Sequence, residues 1–286
     1  MATKQRGSAW SIKLVFNLYK VFGYKFIYYL MYPVSLFYAL ISTNVKTALK
    51  DYYAHLGMEM SFFMYFEHSR TFAITMVDRF ITKADPSAYK FVYDDPDRPL
   101  KIFSNATILV LSHFGGWAAS SNSSRSTNVM NIVMQEAMKD GIKGIEEELG
   151  YKSTQKVIDL NKGAIAVSIS IANALSANEV VAIMGDRASN PNATIEVEFL
   201  GEPALFNKNP FQIAYKMKTP LVAYFVMLTG IQEYKVEFIE IDVDYEKKVS
   251  IAIEEAVLVY TKKYEEVIKR YPSQWLNLYD FWQEKK

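Results

Sequence analysis

A chain of 286 residues, half of them hydrophobic and 15% aromatic, has material for one large domain or two small ones, and its net charge of +1 does not steer it toward nucleic acid. The absence of cysteine excludes a disulfide framework, a thiolate metal site and a cysteine nucleophile, and is compatible with a reducing compartment. Only three histidines are present, His55, His68 and His113, so a multi-histidine metal site would use nearly all of them.

The first 80 residues read as mostly helical. From Phe26 to Val45 the chain runs 20 residues without a charge, between Lys25 and Lys46. A membrane-spanning helix needs about 20 apolar residues, so the length suffices. Four tyrosines and Pro33 favour an interfacial or kinked helix over a clean span. Upstream, Lys4, Arg6, Lys13, Lys20 and Lys25 form a basic flank suited to anionic lipid headgroups. The stretch lacks the small-residue cleavage site of a secretory signal. Membrane association is the expectation; the competing reading is an amphipathic helix buried against the rest of the protein. Apolar and aromatic positions then recur at helical spacing, as in Phe62, Phe63, Tyr65 and Phe66, followed by Phe72, Ile74, Met76 and Val77. His55 and His68 lie among them and read as packing or interfacial residues. Breakers at Asp85-Pro86 and Asp94–Pro99 suggest a boundary, with a helical, membrane-proximal region over 1–85 and a second domain over 86–286.

Beyond the breakers the texture changes. Strands are predicted at Ile108–Leu111, Asn131–Met134, Val180–Met184, Leu221–Met227 and Lys235–Ile241. Helices are predicted at about Lys139–Leu149, Gly163–Leu175, Phe211–Lys218 and Ser250–Tyr271. This alternation implies an α/β domain whose mixed, substantially parallel sheet is flanked by helices. Ligands of such sheets bind at the carboxyl ends of strands, and both His113 and Asp186 stand just past one.

The candidate chemistry gathers at those two ends. His113 follows a buried apolar run and precedes Gly115 and Gly116, where the chain turns into a helix. Imidazole ordinarily titrates near about 6.5, which suits a general base. The glycines permit close backbone approach, and the amides after them are candidate donors to an oxyanion or a phosphate. Asp186-Arg187 has two readings. Arg187 can grip a phosphate or carboxylate and Asp186 can orient a histidine or cap the next helix or turn, or the two are an ion pair on a surface turn. Phe199-Leu200-Gly201-Glu202-Pro203-Ala204 is either a turn that shapes an acyl pocket or a hairpin. Tyr271–Trp275 with Tyr279–Trp282 reads as an aromatic packing latch. No G-x-S-x-G elbow, Walker A sequence or G-x-G-x-x-G after a strand is present.

In order along nearly the whole chain, these blocks resemble the lysophospholipid acyltransferase superfamily, and within it the branch of bacterial lipid A biosynthesis (lauroyl/myristoyl) acyltransferases. The resemblance rests on Arg6-Gly7-Ser8 with the apolar helix, Val77-Asp78-Arg79-Phe80, and Ser112-His113-Phe114-Gly115-Gly116-Trp117. It continues in Met184-Gly185-Asp186-Arg187, Phe199–Ala204 and Pro272-Ser273-Gln274-Trp275. It implies a glycerol-3-phosphate acyltransferase-like fold on the cytoplasmic face of a bacterial inner membrane. It also implies transfer of an acyl chain from a thioester of acyl carrier protein or coenzyme A to a hydroxyl or amine of a lipid, with no metal, other cofactor or acyl-enzyme. Carried over by position, His113 is the base and the Gly115–Trp117 backbone is an oxyanion or positioning element. Asp186 and Arg187 serve the phosphate of donor or acceptor. Phe199 and Gly201 bind substrate.

The resemblance breaks at one position. The family places Asp or Glu five residues after the histidine, where this chain has Ala118. A methyl group cannot accept the imidazole proton. Three accounts compete: another acid, Asp186 or Glu136, orients His113; an acid has been replaced by Ala118 in an inactivated form; or the chain is a divergent or inactive lipid-binding member. Asn131–Glu136 also lacks the arginine that the lipid A enzymes often carry after the second strand, which argues against lipid A specifically as acceptor. A third, soluble reading makes the N-terminal helices part of the core.

Overall fold

The computed structural model describes residues 9–120, 128–135, 155–188 and 190–282, with side chains from residue 13 onward. The helix expected at Lys139–Leu149, and Glu136, lie outside them.

The apolar N-terminus is not one straight rod. Helix α1, Ala9–Ile41, is broken at Gly23, which adopts φ 75° and ψ 176°, and carries Pro33 inside. Helix α2, Thr43–His55, follows at a bend of 92°. Among the described residues no single helix is long and apolar enough to cross a membrane, although this bent pair has the length and composition together. The chain turns at Ser42, so Phe26–Val45 is bent rather than a clean straight span. Tyr24, Ile27, Met31, Ser35 and Ala39 recur every three or four residues and are buried, so one face of α1 packs inward. The face expected to be polar in a soluble helix is instead apolar: Val21, Phe22, Tyr29, Phe37 and Leu40 are exposed.

Helix α3, Phe62–Ala84, starts where the Ser61 hydroxyl accepts the Met64 amide, an N-cap. Its buried stripe is unusually polar, with His68, Thr71, Thr75, Asp78 and Thr82 alongside Tyr65, Ile74 and Ile81. After a short strand β1, Lys90–Tyr93, and helix α4, Arg98–Phe103, the chain enters the sheet. Its strands are β2 Thr107–Leu111, β3 Met130–Met134, β4 Gln155–Asp159, β5 Val180–Met184, β8 Leu221–Gly230 and β9 Glu233–Glu240. With β1 they run in the order β1-β9-β8-β2-β5-β3-β4. Strands β4, β3, β5, β2 and β8 are mutually parallel. β9 is antiparallel to β8, and β1 runs parallel to β9. The mixed, largely parallel sheet was expected; the edge strands β1 and β4 were not.

Strand β2 is buried on both faces, and alternate residues serve two cores. Ile108 and Val110 join one, with helices α7 (Asn209–Met217) and α8 (Val249–Arg270) over them. Leu109 and Leu111 join the other, with Tyr24, Ile27, Ile74 and Ile81 of α1 and α3. The described helices α1 to α3 therefore share a core with the sheet. The connection from β4 to β5 passes through α6, Ala164–Ser176, and that from β5 to β8 through a hairpin and α7. Phe199–Ala204 lies in a hairpin, β6 Thr194–Phe199 and β7 Glu202–Asn207, whose turn holds Leu200 and Gly201 at φ 53° and 85°.

Candidate active site

Parallel pairing decides what His113 meets. Leu111 at the end of β2 lies opposite Met184 at the end of β5, and the Gly185 amide donates to the Leu111 carbonyl at 2.7 Å. Two residues on from each strand end stand His113 and Asp186. The imidazole Nδ1 lies 3.0 Å from Asp186 Oδ1, and the His113 backbone N–H donates to Oδ2 at 2.7 Å. Asp186 is 3% exposed and His113 is 35% exposed by side chain, so the carboxylate is sealed behind an imidazole that faces outward. Burial alone would raise the carboxyl's pKa. The His113 charge and its hydrogen bonds, with Arg187 adding a smaller pull, hold it below the usual carboxylate range. With Nδ1 taken by a carboxylate, Nε2 is left without a partner among the described residues. That is the arrangement of a general base oriented by an acid.

The turn after His113 is built from non-local contacts. Gly115 has φ 54°, and a Cβ there would lie 1.9 Å from the Val226 carbonyl oxygen. A Cβ at Gly116 would lie 2.1 Å from the Tyr234 ring. The two glycines are needed for close packing, and their amides are consumed by it: Gly115 N–H donates to the Gln274 carbonyl and Gly116 N–H to the Val226 carbonyl, each at 2.9 Å. These two amides are therefore bonded within the protein rather than turned to an oxyanion. Trp117 begins a single helical turn, α5, Trp117–Ser120, and is half-buried. Ala118 sits on that turn, and the position beside Nδ1 where the resemblance puts its acid is filled by Asp186.

The C-terminal block closes the site from behind. Phe114 and Trp275 form an isolated antiparallel bridge, and the Leu276 amide donates to the His113 carbonyl at 2.7 Å. The Gln274 side chain clamps β8, accepting the Leu228 amide at 2.8 Å and donating to its carbonyl at 2.7 Å. His68 Nε2 lies 2.8 Å from the Trp275 carbonyl, and burial drops the His68 pKa to about 4. His68 is thus a neutral packing residue, as expected, and His55 stacks on Trp282 at 3.8 Å. Sequence reasoning assigned no site role to Gln274; its position inside the Pro272–Trp275 block was the available signal.

Arg187 is exposed at the mouth. Its guanidinium carbon lies 3.9 Å from the Tyr279 ring centroid, Nε donates to Tyr279 Oη at 3.0 Å, and Nη2 lies 3.4 Å from Asn277 Oδ1. The two remaining predicted binding residues do not join this cluster. Phe199 is fully buried against Phe206, Tyr264 and Trp275, and Gly201 is the exposed tip of a hairpin. Phe199 is a core residue here because its strand lays it under the C-terminal aromatics. A groove lined by Arg98, Glu237, Glu240, Lys263 and Arg270 shares no residue with the cluster, and its cations are paired within it, as in the Arg270–Glu237 fork at 2.8 and 2.7 Å.

The sequence model of the bacterial lipid A biosynthesis acyltransferases matches residues 104–284. This range contains His113, Asp186, Arg187 and Gln274. No curated protein matches the chain.

Proposed function

The chain belongs to the bacterial lipid A biosynthesis acyltransferase family, and from that premise we propose how a lipid acyltransferase works with this set of residues. A fatty acyl chain moves from a thioester, of acyl carrier protein or coenzyme A, to a hydroxyl or amine of a lipid or lipid precursor. His113 Nε2 takes the proton of the acceptor as that group attacks the thioester carbonyl. The tetrahedral intermediate collapses, the C–S bond breaks, and the imidazolium returns the proton to the departing sulfur. Asp186 holds the proton on Nδ1 and stabilises the imidazolium. Arg187, braced by Tyr279 and Asn277, receives a phosphate of donor or acceptor. The Trp117 amide, which has no partner among the described residues, is the backbone donor of its block left for the oxyanion.

The observation that carries this reading is the 3.0 Å contact between His113 and Asp186. It also bears on the rival reading of a catalytically inactive lipid binder, whose motive is Ala118: an acid from the next strand stands where a local one is missing. Thioester consumption with a bacterial lipid extract tests the two. Wild type should turn over acyl carrier protein or coenzyme A thioesters, His113→Ala should fall to background, and Ala118→Glu should bring no large gain, because Nδ1 already has its acceptor. Silence in wild type with activity in Ala118→Glu would refute Asp186 as a sufficient substitute. Silence in all three would favour the binder.

We further place the protein at the cytoplasmic face of the inner membrane. The support is the outward apolar face of α1, whose N-terminal half also carries the exposed Lys13, Lys20 and Lys25, together with the exposed Phe62 and Phe63 at the start of α3. Phe37, Leu40 and Phe63 are 59, 66 and 71% exposed, so replacing each by Asp removes little packing. The triple variant should keep the wild-type melting temperature yet float with anionic vesicles at least tenfold less. Equal flotation of the two proteins would sink this placement.

A further inference from the structure

An acid supplied by the histidine's own turn is aimed by local backbone, whereas Asp186 reaches His113 from a neighbouring strand and needs an aim of its own. Its carboxylate takes three donors. Oδ1 takes His113 Nδ1; Oδ2 takes the His113 amide at 2.7 Å and the Tyr264 hydroxyl at 3.3 Å. Tyr264 comes from α8, about 80 residues downstream, and is fully buried. Its ring is wedged among Phe114, Phe199, Phe225 and Trp275, at centroid separations of 5.5 to 6.1 Å, so the hydroxyl has little freedom to move off the carboxylate. One turn earlier on the same helix, Tyr260 is equally buried, but its hydroxyl goes to the Leu111 carbonyl at 3.2 Å.

We propose that Tyr264 is a positioning residue for acyl transfer. It holds Asp186 Oδ2, so that Oδ1 is kept on His113 Nδ1 and Nε2 is kept free for the acceptor's proton. The proposal rests on the acyl-transfer reading above. Two donors on Oδ2 leave the carboxylate one orientation, and through it they leave the imidazole one tautomer. Without the hydroxyl, Asp186 is pinned on that side by a single backbone N–H, and the imidazole loses part of its alignment rather than its acid.

The test compares Tyr264→Phe with Tyr260→Phe, since both remove one buried hydroxyl from α8. Tyr264→Phe should lower kcat about tenfold with KM for both substrates unchanged, whereas Tyr260→Phe, destabilised to a similar degree, should keep kcat within about twofold. Nitrogen-15 NMR of the His113 ring should show the Nδ1–H tautomer in wild type and a mixture in Tyr264→Phe. Equal kcat in the two variants, or a tautomer unchanged in Tyr264→Phe, overturns the proposal. Should wild type transfer no acyl group from either thioester, the catalytic reading falls, and the tautomer measurement still decides whether Tyr264 sets the histidine.

Discussion

Asp186→Asn is expected to lower kcat by about four orders of magnitude while the protein stays folded. The direction follows from the donors around the carboxylate. The His113 amide and the Tyr264 hydroxyl both donate to Oδ2, so an amide side chain must put its oxygen there. Its NH₂ then faces Nδ1, which has to become the acceptor, and the ring proton moves to Nε2. A histidine protonated at Nε2 cannot take the acceptor's proton. The same exchange in the serine-protease triad, with geometry intact and tautomer wrong, costs about 10⁴ in kcat. Steady-state rates with both thioesters and a far-ultraviolet dichroism spectrum at neutral pH measure it. The wild-type carboxylate is ionised under those conditions, because its pKa is held below the ordinary range. An Asp186→Asn variant that retains a tenth or more of wild-type kcat would remove Asp186 from the mechanism and leave Glu136 as the acid to test.

The parts of this site that were legible in the sequence are the local ones. Apolar runs marked β2 and β5 because central parallel strands are buried on both faces. The edge strands Lys90–Tyr93 and Gln155–Asp159 escaped because they are short and only one residue of each is buried. His113 and Asp186 were visible as residues at strand ends. Their partnership depends on β2 lying beside β5 in register, a non-local fact that no spacing reports. The two glycines misled for a related reason. A glycine after a strand can mean a free amide or a crowded backbone. Here it means crowding, against Val226 and Tyr234, from strands more than 100 residues away. Ala118 was legible as a gap. Beside Nδ1 stands an acid just past the end of another strand, with a tyrosine hydroxyl from the C-terminal helix on it.

The polar stripe of α3 leads to the largest expected effect on stability. Asp78 is fully buried, with three tyrosine hydroxyls donating to it: Tyr24 at 2.5 Å and Tyr89 at 2.8 Å on Oδ1, and Tyr234 on Oδ2. These come from α1, the segment before β1, and β9, so one carboxylate ties the N-terminal helix to the sheet beneath Gly116. Burial raises its pKa from an ordinary 3.8 to about 6, and the three hydroxyls only partly offset that. Asp78→Ala strands three buried hydroxyls and opens a void. At about 1–3 kcal/mol for each unsatisfied group, partly relieved by contacts between the tyrosines, a loss of roughly 3–5 kcal/mol is expected. Asp78→Asn should behave oppositely. Its oxygen can keep the Tyr24 and Tyr89 donors, and its NH₂ can donate to the Tyr234 oxygen, with no charge left to desolvate. A pKa raised on folding means that the native state holds its proton more tightly. Asp78 therefore favours the fold below about pH 4 and loses that contribution as pH rises through about 6, by roughly 3 kcal/mol. Thermal melts of wild type and Asp78→Asn at pH 4, 5, 6 and 7 should accordingly move apart, with the Asn protein gaining relative to wild type as pH rises. A difference that stays flat over this range would mean that Asp78 is charged at no net cost in its tyrosine cage. A mild Asp78→Ala would mean that the hydroxyls find other acceptors, and the tie between the N-terminal helix and the catalytic turn would then lie elsewhere.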